Sequence, residues 1–382
     1  MPPAPTAALE RRHAAVRQAL TARELDALLV TSLPNIVYLT NFTGSAAALL
    51  LDRDRLTLVT DFRYVTAVEA LRATPWECPG LTLARVDGAY DDTIVRALTA
   101  RAGVRVGFEA AHLSVSRFRW IESKLPQQSV SAPAPIATEG IVERARATKD
   151  AYEIATLREA ARRLSVVARS LPEIVARGRT ERAVALDVDW RVRAAGFEKA
   201  AFDTIVASGP NAALPHARPG ERILTESDLV VLDFGGVYDS YCVDLTRTVS
   251  VGRADNRVRE VYAAVRDAHD RAIAAVAPGR SRFEIDGAAR EAMAAHGLAE
   301  AFGHGTGHGL GLEVHEDPRI TRRRPGLDDD VPDEAVAAGM VFTIEPGAYL
   351  PGWGGIRIED DVLVAADGVE ILTDAPMDLI EI

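Results

Sequence analysis

The sequence predicts an α/β protein of two domains. Three observations carry that reading. The chain has 382 residues, well above the ~150 typical of one domain. Residues 7–134 alternate helix-period and strand-period segments. A Pro/Ala-rich stretch, SAPAPIATEG (131–140), then interrupts the pattern, and long amphipathic helices follow it. The expected division is residues 1–134 and residues 135–382.

In the first domain, residues 9–20 form a helix with a basic face that leads into the apolar strand LDALLVT. PNIVYLTNFTGS comes next. AALLLDRDRLTLVTD reads as a hairpin turning near Arg53 and Asp54, and DFRYVTAVEALRA as a helix. Strands LTLARV and VRVGF and helices AYDDTIVRALTA and VSRFRWIESKL complete a small α/β unit. None of these segments holds a catalytic cluster. In the second domain the spacing predicts helices over 150–177 and 180–195, the latter ended by Gly196. Val258, Val261, Tyr262 and Val265 mark one apolar helical face. Ser281 and Glu284 have capping-box spacing and open a helix that stops at Gly297.

The chemistry concentrates between residues 230 and 362. Asp233 and Asp244 lie eleven residues apart in VVLDFGGVYDSYCVDLTRT (230–248), which reads strand, turn, strand. A hairpin centred between Tyr238 and Asp239 puts the two aspartates directly across the ladder, with Cβ atoms ~5 Å apart on one face. Two bare carboxylates at that distance repel, so one takes up a proton. A divalent cation removes the repulsion and uses both groups. Glu345 and Glu359 repeat the arrangement in VFTIEPGAYLPGWGGIRIEDDV (341–362), with Gly352 at their midpoint inside the breaker PGWGG. A single acid in a strand usually marks a solvated face. Two hairpins with centred acids in otherwise apolar strands point to an ion site.

GHGTGHGLG (303–311) places His304 and His308 four apart, the spacing of a zinc-binding helix. Glycine at 303, 305, 307, 309 and 311 disfavours a helix, so the segment is expected to be extended. Neither GxGxxG nor a Walker-type phosphate loop is matched. His315 follows, so three of the eight histidines fall between 304 and 315. Cys242 alternates with Asp244 and is expected to be a small packing residue. His216 lies in a polar, Pro/Gly-bounded loop (FDTIVASGPNAALPHARPG, 202–220) and by itself reads as a surface residue.

The order Asp233, Asp244, His308, Glu345 in TIEP and Glu359 in RIED resembles the pita-bread metallopeptidases. That superfamily includes methionine aminopeptidase, aminopeptidase P, prolidase and metal-free creatinase. The resemblance implies an N-terminal creatinase-like α/β domain followed by a C-terminal α+β pita-bread metallopeptidase domain. It implies two divalent metal ions, one on Asp233, the other on His308 and Glu345, with Asp244 and Glu359 bridging. His216 matches the family's substrate-binding histidine, and Tyr349 and Arg357 match positions of its proline-specific branch. Glu345, His216, His315 and Arg357 are then the expected catalytic set. His216, His304, His315, Tyr349 and Arg357 are the expected substrate contacts, and His304 is also placed to orient the metal shell. NIVYLTNFTGS and TDFRY are similar to the N-terminal domain of small aminopeptidase P proteins, which methionine aminopeptidase lacks. The expected function is therefore an Xaa-Pro aminopeptidase. One alternative is an Xaa-Pro dipeptidase (prolidase), which needs a group that reads the proline carboxylate. Another, disfavoured because no ligand is lost, is a non-catalytic pita-bread peptide-binding protein.

Four carboxylates and one imidazole favour Mn²⁺, with Co²⁺ or Zn²⁺ able to substitute. The four negative charges balance two divalent ions. A net charge of -11 argues against a nucleic-acid partner. No apolar run reaches ~18 residues, so no membrane span is expected. The N-terminal segment lacks a signal peptide's apolar core. The two cysteines, Cys78 and Cys242, give no disulfide framework, so a cytoplasmic protein is expected. The expected partners are proline-containing peptides and, from the resemblance, a second copy in a homodimer.

Overall fold

The computed structural model describes residues 3–101, 104–128, 134–324, 326 and 332–382. The chain divides into two units, Met1–Arg146 and Ala147–Ile382. This division falls later than the expected boundary after residue 134. Part of the expected breaker, 131–133, lies outside the described residues. Residues Ala134–Thr138 do not open the second unit. They pair in parallel with Arg105–Glu109, so their backbone groups are satisfied inside the first unit's sheet.

The first unit contains α1 (Thr6–Ala22), β1 (Ala27–Val30), α2 (Leu33–Thr40), β2 (Ala48–Asp52), β3 (Leu56–Asp61) and α3 (Phe62–Ala70). β4 (Leu81–Val86), α4 (Tyr90–Thr99), β5 (Arg105–Glu109), α5 (Val115–Gln128), β6 (Ala134–Thr138) and α6 (Ile141–Ala147) follow. The strands form one sheet in the order β4-β3-β2-β1-β5-β6. β1 is buried along its whole length, as an apolar run covered on both faces must be. The β2–β3 hairpin turns at Arg53 and Asp54 as expected. There Asp52 Oδ1 accepts the Asp54 and Arg55 N–H groups at 3.1 and 2.7 Å, an Asx turn.

The second unit opens with α7 (Ala151–Arg169), α8 (Leu171–Ile174) and α9 (Glu181–Ala194). The helix expected over 150–177 is therefore broken. Pro172 has no N–H to continue the ladder, and α8 is a separate single turn. A reciprocal capping box does start α7, built from Asp150 and Glu153. The box expected at Ser281 and Glu284 is one-sided. Ser281 accepts the Phe283 N–H, while Glu284 turns to Arg280.

Next come β7 (Lys199–Ala200), β8 (Ile205–Ser208), β9 (Leu229–Tyr238), β10 (Tyr241–Ser250), α10 (Asn256–Ala274) and α11 (Arg282–Ala295). The chain ends with β11 (Gly307–Gly309), β12 (Glu316–Ile320), β13 (Val341–Ile344), β14 (Gly347–Leu350), β15 (Gly354–Arg357), β16 (Asp360–Ala365), β17 (Gly368–Ile371) and β18 (Ile380–Glu381). One sheet runs β18-β10-β9-β7 with β8 also on β9, a second runs β12-β11-β13-β16-β17, and β14 pairs β15. α7 and α9 pack on the first sheet through Leu157, Leu164, Val184 and Val188. α10 and α11 pack on the second through Val258, Val261, Tyr262, Val265 and Met293. Each such side chain contributes roughly 1.5–3 kcal/mol on burial. Among the described residues no helix is long and apolar enough to cross a membrane.

The two acid-bearing hairpins differ in register. β9 and β10 turn through Asp239 and Ser240, at φ 45° and 70°, a two-residue turn of the I′ kind. That turn pairs Tyr238 with Tyr241, Asp233 with Thr246 and Asp244 with Gly235. The expected direct opposition of the aspartates is therefore corrected. They sit diagonally on a shared face, because the turn centre lies one residue further along and each pairing shifts by two. In the second hairpin, β13–β16 pairs Ile344 with Asp360 and β14–β15 pairs Gly347 with Arg357. Both ladders follow one register centred on Gly352, so Glu345 and Glu359 face each other at the gap between them. Their backbones turn elsewhere. The Glu345 N–H donates to Thr306 O at 2.7 Å and the Glu359 N–H to Thr246 O at 3.1 Å.

Candidate metal centre

Asp233 on β9, Asp244 on β10, His308 on β11, and the opposed Glu345 and Glu359 all line one cavity of about 720 Å³. Ligand atoms of Asp244, His308 and Glu359 lie within 4.8 Å of one another. His308 Nε2 is 3.6 Å from Glu345 Oε1. The extended segment is shorter than expected, spanning only Gly307–Gly309, and His304 precedes it. The glycines flanking His308 let other backbone approach. A Cβ at 307 would lie 1.8 Å from Thr343 O, and one at 309 would lie 2.2 Å from Asp317 O.

The cavity concentrates negative charge away from water. Burial pushes the Asp244 carboxyl well up, and Glu359 and Asp233 add to the shift. Burial does the same to Glu359, reinforced by Glu345 and Asp233. Glu345 is raised by burial to about 7, with Arg357 opposing. Asp233 Oδ1 and Asp244 Oδ1 are buried without a hydrogen-bond partner. Orphaned carboxylate oxygens in a dry site are costly unless a cation takes their lone pairs. Burial, then His315, lowers His308 to about 3, so its imidazole is neutral. Its Nδ1–H donates to Gly309 O at 3.1 Å, which leaves the Nε2 lone pair for an ion. The residues fit divalent cations. Two further groups hold the acids in place. Thr246 Oγ1 donates to Glu359 Oε2 at 2.5 Å, and Asp361 Oδ2 accepts the Asp244 N–H at 3.1 Å.

Arg357 ties the remaining residues together. Its Nη2 donates to Asp233 Oδ2, its Nη1 to the Tyr349 hydroxyl at 2.8 Å and its Nε to Thr246 Oγ1 at 3.1 Å. Burial disfavours this guanidinium's charge, but Tyr349 and Asp233 outweigh it and raise the pKa. Burial raises Tyr349 to about 12, so its hydroxyl keeps its proton and donates to His304 Nε2 at 2.9 Å. His304, lowered by burial to about 4, gives its Nδ1–H to Gly305 O at 2.8 Å. Both His304 nitrogens are thus committed, and Tyr349 does not line the cavity. His304 itself lines the cavity, and both residues spend their polar atoms on neighbouring protein groups. They form a chain, His304–Tyr349–Arg357–Asp233, that orients a candidate ligand.

His216 and His315 are exposed at the cavity wall, where a substrate can reach them. His315 stands 4.3 Å from His308, ring centroid to ring centroid. Cys242 is buried and outside the cavity lining, as its packing role requires. Sequence reasoning missed Arg218, Arg319 and Arg322, which line the same cavity. It also missed Thr246 and Asp361. Strand parity carries a signal for two of these, since Thr246 is two residues from Asp244 and Arg319 four from His315.

Comparison with known proteins identifies the family and the fold. Residues 155–366 match metallopeptidase family M24, and residues 12–148 match the creatinase/prolidase N-terminal domain. An Xaa-Pro dipeptidase of Pyrococcus horikoshii is 32% identical over 93% of this chain and 95% of its own length. The structure of an Xaa-Pro dipeptidase from Bacillus anthracis has a TM-score of 0.89 at 32% identity, covering 98% of this chain and 100% of that one. An X-Pro aminopeptidase structure from Thermotoga maritima has a TM-score of 0.82 at 33% identity, covering 94% of this chain and 98% of that one. With its carboxylates and histidine gathered at one cavity, the chain belongs to metallopeptidase family M24, a hydrolase with the pita-bread fold and a creatinase/prolidase N-terminal domain.

Proposed function

We propose that this chain is an Xaa-Pro dipeptidase. One observation carries the choice over the aminopeptidase expected from the sequence. The cavity that holds the carboxylate–histidine set is also lined by Arg218, Arg319 and Arg322. All three are exposed, and none has a carboxylate partner among the described residues. A dipeptide's free carboxylate lies one residue beyond the scissile bond, so a guanidinium in the same cavity can read it bidentately. Arg319 is the first candidate, being close enough to bias His308, His315 and Glu345 electrostatically. The relatives described as Xaa-Pro dipeptidases support the same reading.

In this mechanism Asp233, Asp244, His308, Glu345 and Glu359 are the residues that would hold the divalent ions. Two divalent ions bound there supply Lewis acidity and make water nucleophilic near neutral pH. Mn²⁺ suits the oxygen-rich set, with Co²⁺ or Zn²⁺ as substitutes. Glu345 takes a proton on its carboxylate and passes it to the leaving proline nitrogen. His216 and His315 donate to the substrate carbonyl oxygen, where negative charge develops. Arg357 keeps Asp233 aimed, and the buried strands exclude bulk water.

The test is cleavage of Ala-Pro against Ala-Pro-Xaa with Mn²⁺ added. The dipeptide is expected to be cleaved and the longer peptide to be poor. Arg319→Gln should raise KM for Ala-Pro by at least ~10-fold, the loss of one charged hydrogen-bond pair. Equal kcat/KM on both peptides would return the assignment to the aminopeptidase.

A further inference from the structure

We infer that Glu181 is a positioning residue that aims His216 by clasping both feet of its loop. The inference rests on the role of His216 at the substrate oxygen given above. Glu181 begins α9 and is 1% exposed, and no part of the proposed chemistry uses it. Its Oε1 accepts the Ser208 N–H at 2.8 Å, the Ser208 Oγ–H at 2.8 Å and Asn211 Nδ2 at 3.0 Å. Its Oε2 accepts the Gly220 N–H at 3.2 Å. Ser208 and Gly220 bracket residues 209–219, with His216 between them. One carboxylate therefore closes the loop at both ends.

The rest of the loop is pressed against β15. A Cβ at Gly355 would lie 2.0 Å from Ala212 O, and Arg357 Nη1 donates to Pro215 O at 3.4 Å. The His216 ring itself is exposed, and among the described residues no protein group hydrogen-bonds to it. The point from which it reaches the cavity is thus set by its backbone, and its backbone is held by the clasp and by β15. An acid in the first turn of a helix already gains from the helix dipole. That gain needs neither burial nor contact with a loop 27 to 39 residues away in sequence. Burying a carboxylate is costly unless its lone pairs are filled, and here the donors come mainly from the loop.

The experiment is a double-mutant cycle on the metal-loaded full chain, using Glu181→Gln, His216→Ala and both together. The readouts are kcat and KM for Ala-Pro, bound metal and Tm. Glu181→Gln keeps the shape but turns one acceptor into a donor facing other donors. It should lower kcat by about 10- to 100-fold, the scale of a small misplacement of a reacting group, with metal stoichiometry unchanged. In the His216→Ala background the same change should cost less than about threefold, because the two residues act as one unit. Independent, multiplicative effects would overturn the inference while leaving the role of His216 standing. A His216→Ala enzyme with normal kcat would overturn that role and the inference with it. If Glu181→Gln does not fold, Asn211→Ala, which removes one hydrogen bond to the carboxylate, is run through the same cycle with the same criteria.

Discussion

Lys149→Met is expected to unlatch the loop that carries His315. Lys149 Nζ and Glu316 Oε2 form an ion pair at 3.3 Å, with side chains 0% and 6% exposed. Nζ also donates to Ala147 O at 3.4 Å. The lysine is itself anchored, since its N–H donates to Gly339 O at 2.8 Å and Thr148 bridges Met340. Glu316 follows His315 directly, so this buried post holds the chain beside the candidate oxyanion contact. Removing one partner of a buried pair strands the other charge and costs about 3–5 kcal/mol. For a unit of this size, ~2–4 °C of Tm per kcal/mol gives a fall of about 6–20 °C. Pairing the change with Glu316→Gln should recover most of that loss, because no buried charge then lacks a partner. Calorimetry of the wild type, both single variants and the double variant measures this, with kcat for Ala-Pro followed in parallel. A loss below about 1 kcal/mol for Lys149→Met, or a double variant less stable than the single, would refute the reasoning.

His308→Ala should abolish activity and remove one bound ion per chain by metal analysis, whereas His304→Ala should be milder. Near wild-type turnover in His308→Ala would mean the ligand set is misassigned. Thr246→Val deletes the hydroxyl that donates to Glu359 and accepts from Arg357, so metal affinity should fall about 10- to 100-fold by titration calorimetry. In the first unit, burial holds the His13 pKa down at about 4, against 6.5 for a free histidine. Its Nε2–H donates to Leu39 O at 2.7 Å, so the fold keeps this ring neutral. Above pH 6.5 the stabilisation is complete. As pH falls from 6.5 toward 4 the unfolded chain takes up the proton first, and roughly 3 kcal/mol is lost. His13→Gln should flatten the acid limb of denaturant stability for that unit, and an unchanged slope would contradict the assignment.

Part of the candidate site was legible in the sequence from local rules, and part only through the resemblance to a known family. Side chains alternate along a strand, so acids placed symmetrically about a turn share a face. Glu345 and Glu359 follow that rule about Gly352. Asp233 and Asp244 keep the shared face but lose direct opposition, because the chain turns at Asp239 and Ser240 rather than one residue earlier. The break in the helix expected over 150–177 was also local, and Pro172 was its visible sign. The late domain division was not local. Whether Ala134–Thr138 joins the first sheet depends on its pairing with β5, and no property of SAPAPIATEG reports that partner.

The sequence by itself determined the residue types, their spacing and the faces they occupy. Periodicity, turn chemistry and the valence of a carboxylate act over a few residues, and these sufficed to pair Asp233 with Asp244 and Glu345 with Glu359 as a candidate ion site, while the resemblance to the pita-bread metallopeptidases singled out His308. Only the tertiary structure decided how the set is held and what surrounds it. Glu181 meets Ser208 and Gly220 across 27 and 39 residues, Lys149 meets Glu316 across 167, and Arg357 meets Asp233 across 124. The gathering of Arg218, Arg319 and Arg322 at one cavity is of the same kind. Such contacts form when separate elements pack, and a hydrogen bond between distant residues leaves no periodic trace along the chain.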